Sequence, residues 1–193
     1  MSSVSPAVDL PALSRQLEGV TADVRREFTN LSAAQLNWKQ SAEEWSIGQC
    51  LDHLVQTNEQ FFLSFDQIIR GEKQQTVWER LPVLPKFFGR FIVNAANPES
   101  TRKVKAPKVF APASSDVDAH IVESFIAHQA LVASKLKALE KVDARNIKVT
   151  SPVARFVTYS LLDACTILVY HERRHFEQAR RVLAASGFPR EVH

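Results

Sequence analysis

Towards its end the chain reads His171-Glu172-Arg173-Arg174-His175-Phe176-Glu177-Gln178. Two histidines four residues apart on an α-helix lie about 40° apart around the axis and about one turn apart along it. If this stretch is helical, both imidazoles can therefore reach a single divalent metal ion. The apolar residues that share their face of the helix are Ala164, Ile167, Leu168 and Val182. This spacing predicts a last long helix, residues 161–186, whose histidines face the core.

The same string matches H-E-x-x-H, a zinc metalloprotease signature in which the glutamate is a general base. Both middle positions are arginine here, whereas a helix behind a protease cleft usually carries uncharged residues there. No third ligand of that type follows His175, and the sequence has almost no strand signal for a protease scaffold. Glu172 lies about 100° from His171 around the helix. It is therefore a poorly aimed candidate base, although the sequence offers no clearly better one.

The composition favours one globular domain, residues 1–193, with its core between about 10 and 186. Hydrophobic residues make up 45% of the chain and charged residues 23%. The net charge of +3 is scattered and interleaved with acidic residues, so we expect no nucleic-acid partner. No apolar run approaches 18 residues, so we expect no membrane partner. Two cysteines, Cys50 and Cys165, without a signal peptide predict a reducing cytoplasm and no disulfide.

Apolar periodicity and capping residues predict helices almost throughout. Ser46 with Gln49, and Ser160 with Asp163, have the spacing of capping boxes at two helix starts. The four long helices are predicted at residues 10–29, 47–70, 116–141 and 161–186. Between them we predict a broken helical insertion at 76–96 and loops at 97–115 and 142–159. Four long helices with connections of varied length indicate an all-α four-helix bundle.

A third histidine, His53, lies at the margin of the apolar face of the second long helix. Gln49, Thr57 and Gln60 flank it on its own face. This arrangement describes a polar pocket at the edge of a hydrophobic core, which is where bundles build metal sites from facing helices.

Two segments at opposite ends of this helical domain together resemble a known family. They are Trp45-Ser46-Ile47-Gly48-Gln49-Cys50-Leu51-Asp52-His53-Leu54 and the run from His171 to Gln178. They resemble the W-S-x-x-x-x-x-x-H-L helix start and the H-x-x-x-H-x-x-Q run of the DinB/YfiT-like superfamily. The resemblance covers about residues 10–186. It implies an up-down-down-up four-helix bundle with His53, His171 and His175 as the ligands of a divalent metal ion.

The family resemblance also implies chemistry and assembly. Members bind nickel, zinc, iron or manganese, and they are commonly dimers. Some resemble metal-dependent hydrolases, and others are thiol-dependent transferases or isomerases that use bacillithiol, mycothiol or glutathione. We therefore expect a small-molecule substrate, a divalent metal (zinc, nickel or iron), a low-molecular-weight thiol as a further cofactor if the chain is a transferase, and a homodimer.

Two hypotheses remain open for the function. Three neutral imidazoles leave a coordination position for water, whose pKa a metal lowers, or for a thiol held as thiolate. This favours an enzyme that activates water or a thiol, with Gln178, Gln49 and Thr57 as outer-shell or substrate-contacting groups. The alternative is a metal-binding stress-response or sensing protein that performs no chemistry.

The remaining candidate residues have simpler interpretations. His120 and His128 are interpreted as structural or surface groups, and His193 as a terminal residue. Cys50 and Cys165 are interpreted as buried and inert. Trp45 is interpreted as a packing residue at the start of the second long helix. The aromatic residues that could form core, a dimer face or a pocket wall are Trp78, Phe87, Phe88 and Phe91.

Overall fold

A computed structural model describes residues 8–80, 116–154 and 156–190. Its long helices are α1 (Leu10–Phe28), α3 (Ile47–Ile69), α4 (Ile121–Leu139) and α5 (Leu161–Leu183). The smaller elements are helix α2 (Ala33–Asn37), a 3₁₀ turn (Trp78–Arg80) and strands β1 (Lys148–Thr150) and β2 (Thr158–Ser160). The predicted four-helix architecture is therefore confirmed.

The helices begin where their capping residues predict. The hydroxyl of Ser46 accepts a hydrogen bond from the Gln49 backbone N–H, while the Gln49 side chain accepts one from the Ser46 backbone. Ser160 and Asp163 form the same reciprocal pair at the start of α5. Each such cap is worth about 1 kcal/mol, because it pairs N–H groups that the first helical turn leaves without partners.

The apolar residues form two clusters, one at each end of the bundle, and these clusters fix the directions of the helices. One cluster joins the first halves of α1 and α5 to the last parts of α3 and α4. The other joins the second halves of α1 and α5 to the first parts of α3 and α4. Helices α1 and α5 therefore run in one direction and α3 and α4 in the other, which confirms the up-down-down-up arrangement.

Helices α1 and α3 each pack against both α4 and α5, so α1 and α3 lie across a diagonal of the bundle. The antiparallel contact between α3 and α5 brings the start of α3 towards the end of α5. Gly48 allows α3 to begin in close packing: a Cβ atom there would lie 3.1 Å from the Leu36 carbonyl oxygen and 3.2 Å from the Val117 Cβ. The position of His53 depends on this start.

The structure corrects the predicted 142–159 loop. A two-stranded antiparallel hairpin, β1 with β2, occupies part of it, and Val149 pairs with Tyr159. Both of these side chains are buried. Strands of three residues are too short for periodicity to separate from a loop, so only their packing against the bundle distinguishes them.

Two helix boundaries also differ from the prediction. Helix α4 begins at Ile121 rather than 116, because the Asp118 carboxylate accepts the His120 backbone N–H in a local turn that competes with helix. Helix α5 ends at Leu183, after which Phe188 packs edge-on against Trp38.

The predicted insertion at 76–96 is described only up to residue 80, where Trp78–Arg80 forms a 3₁₀ turn. The rest of it and the predicted 97–115 loop lie outside the described residues, as do Phe87, Phe88 and Phe91. Trp78 itself is exposed. Among the helices that the structure describes, none has the length and apolar character needed to cross a membrane.

Candidate metal centre

Three histidines from two helices meet inside the bundle. His53 lies in the second turn of α3 and is 2% exposed, and His171 and His175 lie on successive turns of α5. One ring nitrogen from each lies within 4.8 Å of the others. The Nε2 atoms of His53 and His171 are 3.2 Å apart, a spacing at which two nitrogens share either a proton or a metal ion. The structure thus brings together the three predicted ligands.

The spacing between two of the three ring nitrogens fits a divalent ion. Tetrahedral zinc with Zn–N bonds of about 2.0–2.1 Å separates its ligand nitrogens by about 3.3 Å, close to the spacing between His53 and His171. A buried ring nitrogen of His175, Nδ1, has no hydrogen-bond partner among the described residues. Buried polar atoms are nearly always paired, so a buried imidazole without a protein partner is consistent with a ligand site.

Burial favours the neutral form of His171 and His175. It lowers the pKa of His171 to about 3, and the neighbouring His53 and Arg174 add to the effect. The pKa of His175 is also well below its usual value, chiefly because of burial. A side-chain hydrogen bond with Gln178 opposes this and raises the pKa. Neutral imidazoles have a free lone pair, which is the form that binds metal.

Glu172 points into the core and takes no part in the histidine cluster. It is fully buried, and its two oxygens accept hydrogen bonds from the side-chain amides of Asn58 on α3 and Gln129 on α4, both at 2.6 Å. Burial raises its pKa to about 7, although the two amides oppose the shift. Because both oxygens are occupied, the structure does not support Glu172 as a base acting at the metal.

The predicted outer-shell residues have different surroundings. Gln178 lies one turn beyond His175, and its side chain forms a hydrogen bond with the His175 ring that raises the pKa of that ring. The Gln49 side-chain oxygen is taken up by the capping box with Ser46. The Thr57 hydroxyl donates to the backbone carbonyl of His53. Of the three, Gln178 has the contact best suited to a role at the centre.

Trp45 contacts two of the three histidines, a role that sequence reasoning missed. Its indole stacks on the His175 ring, with centroids 5.4 Å apart and planes 15° from parallel. The same indole meets the His53 ring edge-on at 4.9 Å. Its position one residue before the Ser46 cap was the available signal, but that position predicts packing and does not reveal the partner.

The other histidines and the cysteines lie outside this cluster. His120 is exposed at the start of α4, and His128 is buried and stacked on Phe62. Cys50 and Cys165 are free and buried, and burial raises the pKa of the Cys50 thiol to about 12. Neither thiol is therefore suited to act as a nucleophile at neutral pH.

Comparisons with known proteins agree with this fold. The sequence profile described as the DinB superfamily matches residues 16–179. The solved structure of YfiT from Bacillus subtilis, described as a probable metal-dependent hydrolase with an unusual four-helix bundle topology, is similar with a TM-score of 0.57 and 13% identity over 98% of this chain and 93% of that one. No curated protein matches the chain significantly in sequence. Since the family profile spans most of the chain, this protein belongs to the DinB superfamily.

Proposed function

We propose that this protein is a metal-dependent enzyme that activates water or a low-molecular-weight thiol, as a hydrolase or a thiol S-transferase. The observation that carries the proposal is the cluster of three imidazoles, held by two antiparallel helices, with ring nitrogens within 4.8 Å of one another. The description of its structural neighbour YfiT as a probable metal-dependent hydrolase points the same way.

Each residue of such a site would have a separate role. His53, His171 and His175 would hold the ion, and a divalent ion bound there would lower the pKa of a water or thiol on its open position. His171 keeps a partly exposed surface, so the cluster is accessible from that side. Trp45 contacts the rings of His53 and His175, which are both buried. Gln178 is the polar residue best placed to contact a bound small molecule.

Several details of the proposal rest on the sequence rather than on the site. Three imidazoles bind zinc, nickel or iron and do not select among them. Two buried thiols without a disulfide support a reducing, cytoplasmic environment. The homodimer rests on the family resemblance, and analytical ultracentrifugation tests it.

Elemental analysis of the untagged protein tests the metal centre. We expect about one divalent ion per chain in the wild type and its loss in His53→Ala and His171→Ala. His120→Ala is the matched control, because it removes an exposed histidine that lies outside the cluster. Absence of stoichiometric metal, even after zinc or nickel is added, would contradict the proposal.

A metal-binding protein without catalysis is the second candidate. The arrangement of Glu172 favours it, because this carboxylate is turned into the core and no other carboxylate joins the cluster among the described residues. A screen of the metal-loaded protein with ester and amide substrates, and with electrophiles plus thiols, separates the two. Turnover that is lost in His171→Ala supports the enzyme, whereas metal binding without turnover supports the sensor.

A further inference from the structure

One indole contacts a ligand from each of the two helices that build the centre. Trp45 stacks on His175 of α5 and meets His53 of α3 edge-on. It lies directly before Ser46, the residue that caps the start of α3. Both ring contacts have the offset or edge-on geometry that attracts aromatic rings to one another.

The described residues give the ring of His175 no carboxylate partner. In most metal sites the second ring nitrogen donates to a carboxylate, a carbonyl or water, and that bond fixes the plane and tautomer of the ring. A side-chain hydrogen bond with Gln178 is the polar contact that supports the ring of His175 from outside the cluster. The buried carboxylate of Glu172, three residues before His175, already accepts hydrogen bonds from Asn58 and Gln129. The stacked indole of Trp45 is therefore a further constraint on the ring plane of His175, beside the Gln178 contact.

We infer that Trp45 is a positioning residue of the metal centre, which orients the His175 ring by stacking and the His53 ring by an edge-on contact. This inference rests on the proposed metal site and adds a residue to it. Trp45 does not touch the metal; it acts through the two rings. The competing explanation is that Trp45 only packs the start of α3, in which case its loss would lower stability and leave metal binding unchanged.

Trp38 provides a matched control for that alternative. It is also half-buried and lies at the same end of the bundle, where its ring meets Phe188 edge-on. Its described ring contact does not involve the histidine cluster. A substitution at Trp38 therefore removes a comparable indole from the packing without removing a contact to a ligand.

The experiment measures zinc and nickel affinity by calorimetry for the wild type, Trp45→Leu, Trp45→Phe and Trp38→Leu. We expect Trp45→Leu to weaken binding about 10- to 100-fold, which is the range seen when an outer-shell partner of a ligand is lost. Trp45→Phe keeps a ring that can stack and should recover most of the affinity. Trp38→Leu should lower the unfolding midpoint while its affinity stays within about twofold of the wild type.

The absorption spectrum of the cobalt-substituted protein gives a readout that packing alone would not move. Its visible bands depend on ligand geometry, so they should shift in Trp45→Leu and remain unchanged in Trp38→Leu. Equal affinity and an unchanged cobalt spectrum in Trp45→Leu would overturn the inference while leaving the metal site intact.

A metal-free measurement separates failure of this inference from failure of the proposed function. Nitrogen-15 spectra of the histidine rings report the tautomer and mobility of His175 without any ion. We expect the His175 signals to change in Trp45→Leu and those of exposed His120 to stay in place. If the wild type binds no metal, the proposed function fails, and unchanged His175 signals would then overturn the positioning role as well.

Discussion

Glu79 and Glu172 are both fully buried carboxylates, but their partners differ. Glu79 accepts hydrogen bonds from the ammonium group of Lys73 at 2.8 and 3.0 Å, and further bonds from the Thr76 backbone and the Thr150 hydroxyl. The hydrogen bonds that Glu172 accepts from described residues come from the neutral amides of Asn58 and Gln129. The first carboxylate has a neutralising cation in contact, whereas the second has none among the hydrogen-bond donors that the structure describes.

The difference distinguishes a contact that stabilises the fold, at Glu79, from a contact beside the histidine cluster, at Glu172. The pair Lys73–Glu79 fastens the segment after α3 to strand β1, away from the histidines. Glu172 instead joins α5 to α3 and α4, and α3 and α5 carry all three candidate ligands. A buried carboxylate without a cation is costly to keep charged. Its presence next to His171 is therefore explained better by alignment of the ligand-bearing helices than by stability.

Removing the cation from Glu79 should have the largest effect on stability. Lys73→Met keeps an apolar stem but leaves a fully buried carboxylate without its counter-ion. We expect the free energy of unfolding to fall by about 3 kcal/mol, at the low end for a broken buried ion pair because Thr76 and Thr150 still donate. Urea denaturation measures the loss. An unchanged midpoint would show that this pair is not a stabilising contact.

Metal binding at the histidine cluster should raise the free energy of unfolding, independently of the Lys73–Glu79 contact. Free zinc at about 100 times its dissociation constant should raise the unfolding free energy by about 2.7 kcal/mol, because the ion binds the folded state. The increment should vanish in His53→Ala and persist in Lys73→Met, since distant sites act independently. Thermal melts with and without zinc measure it, and an equal increment in His53→Ala would contradict the site.

The same isosteric change should have different consequences at the two carboxylates. Glu79→Gln leaves the Lys73 ammonium facing a neutral amide and should cost about 2 kcal/mol, the value of a hydrogen bond to a charged group. Glu172→Gln should change stability by less than about 1 kcal/mol, because the Asn58 or Gln129 amide can turn round to accept the new N–H. Urea denaturation of both variants checks the difference. Equal losses of unfolding free energy in the two variants would contradict the difference between Glu79 and Glu172.

The smallest expected effect is the contribution of His128 to the loss of stability at low pH. His128 is buried, its Nε2 has no partner among the described residues, and burial lowers its pKa below 6.5. The unfolded chain then binds more protons than the folded one. The stability from neutral His128 is therefore full above about pH 6.5 and falls as the pH drops below it.

His128→Phe should remove this part of the acid sensitivity while keeping a ring against Phe62. Unfolding midpoints at pH 7.5 and 5.5 should differ less in this variant than in the wild type. His120→Phe, at an exposed position, is the control and should keep the wild-type difference. A His128→Phe profile identical to that of the wild type would contradict the prediction.

Local chemistry made much of this protein predictable. The capping pairs at Ser46 and Ser160 placed the starts of α3 and α5, because a cap involves only residues three apart. His171 and His175 face the same way because helical geometry alone sets their spacing. His53 was predicted as the third ligand through the family resemblance, since no local pattern relates residues 118 positions apart.

Contacts between distant segments were beyond the reach of such patterns. The β1–β2 hairpin escaped prediction because strands of three residues have no measurable period. Nothing in the sequence joins Trp45 to His175, or Asn58 and Gln129 to Glu172, until the helices pack.

The sequence by itself determined the four long helices, the starts of α3 and α5 and the shared face of His171 and His175, because these depend on interactions within a few residues. Only the tertiary structure decided that an indole orients two ligands and that Glu172 turns away from them into a pair of amides. Side-chain partners across a bundle are set by the crossing and register of whole helices, and these follow from the packing of both apolar clusters at once.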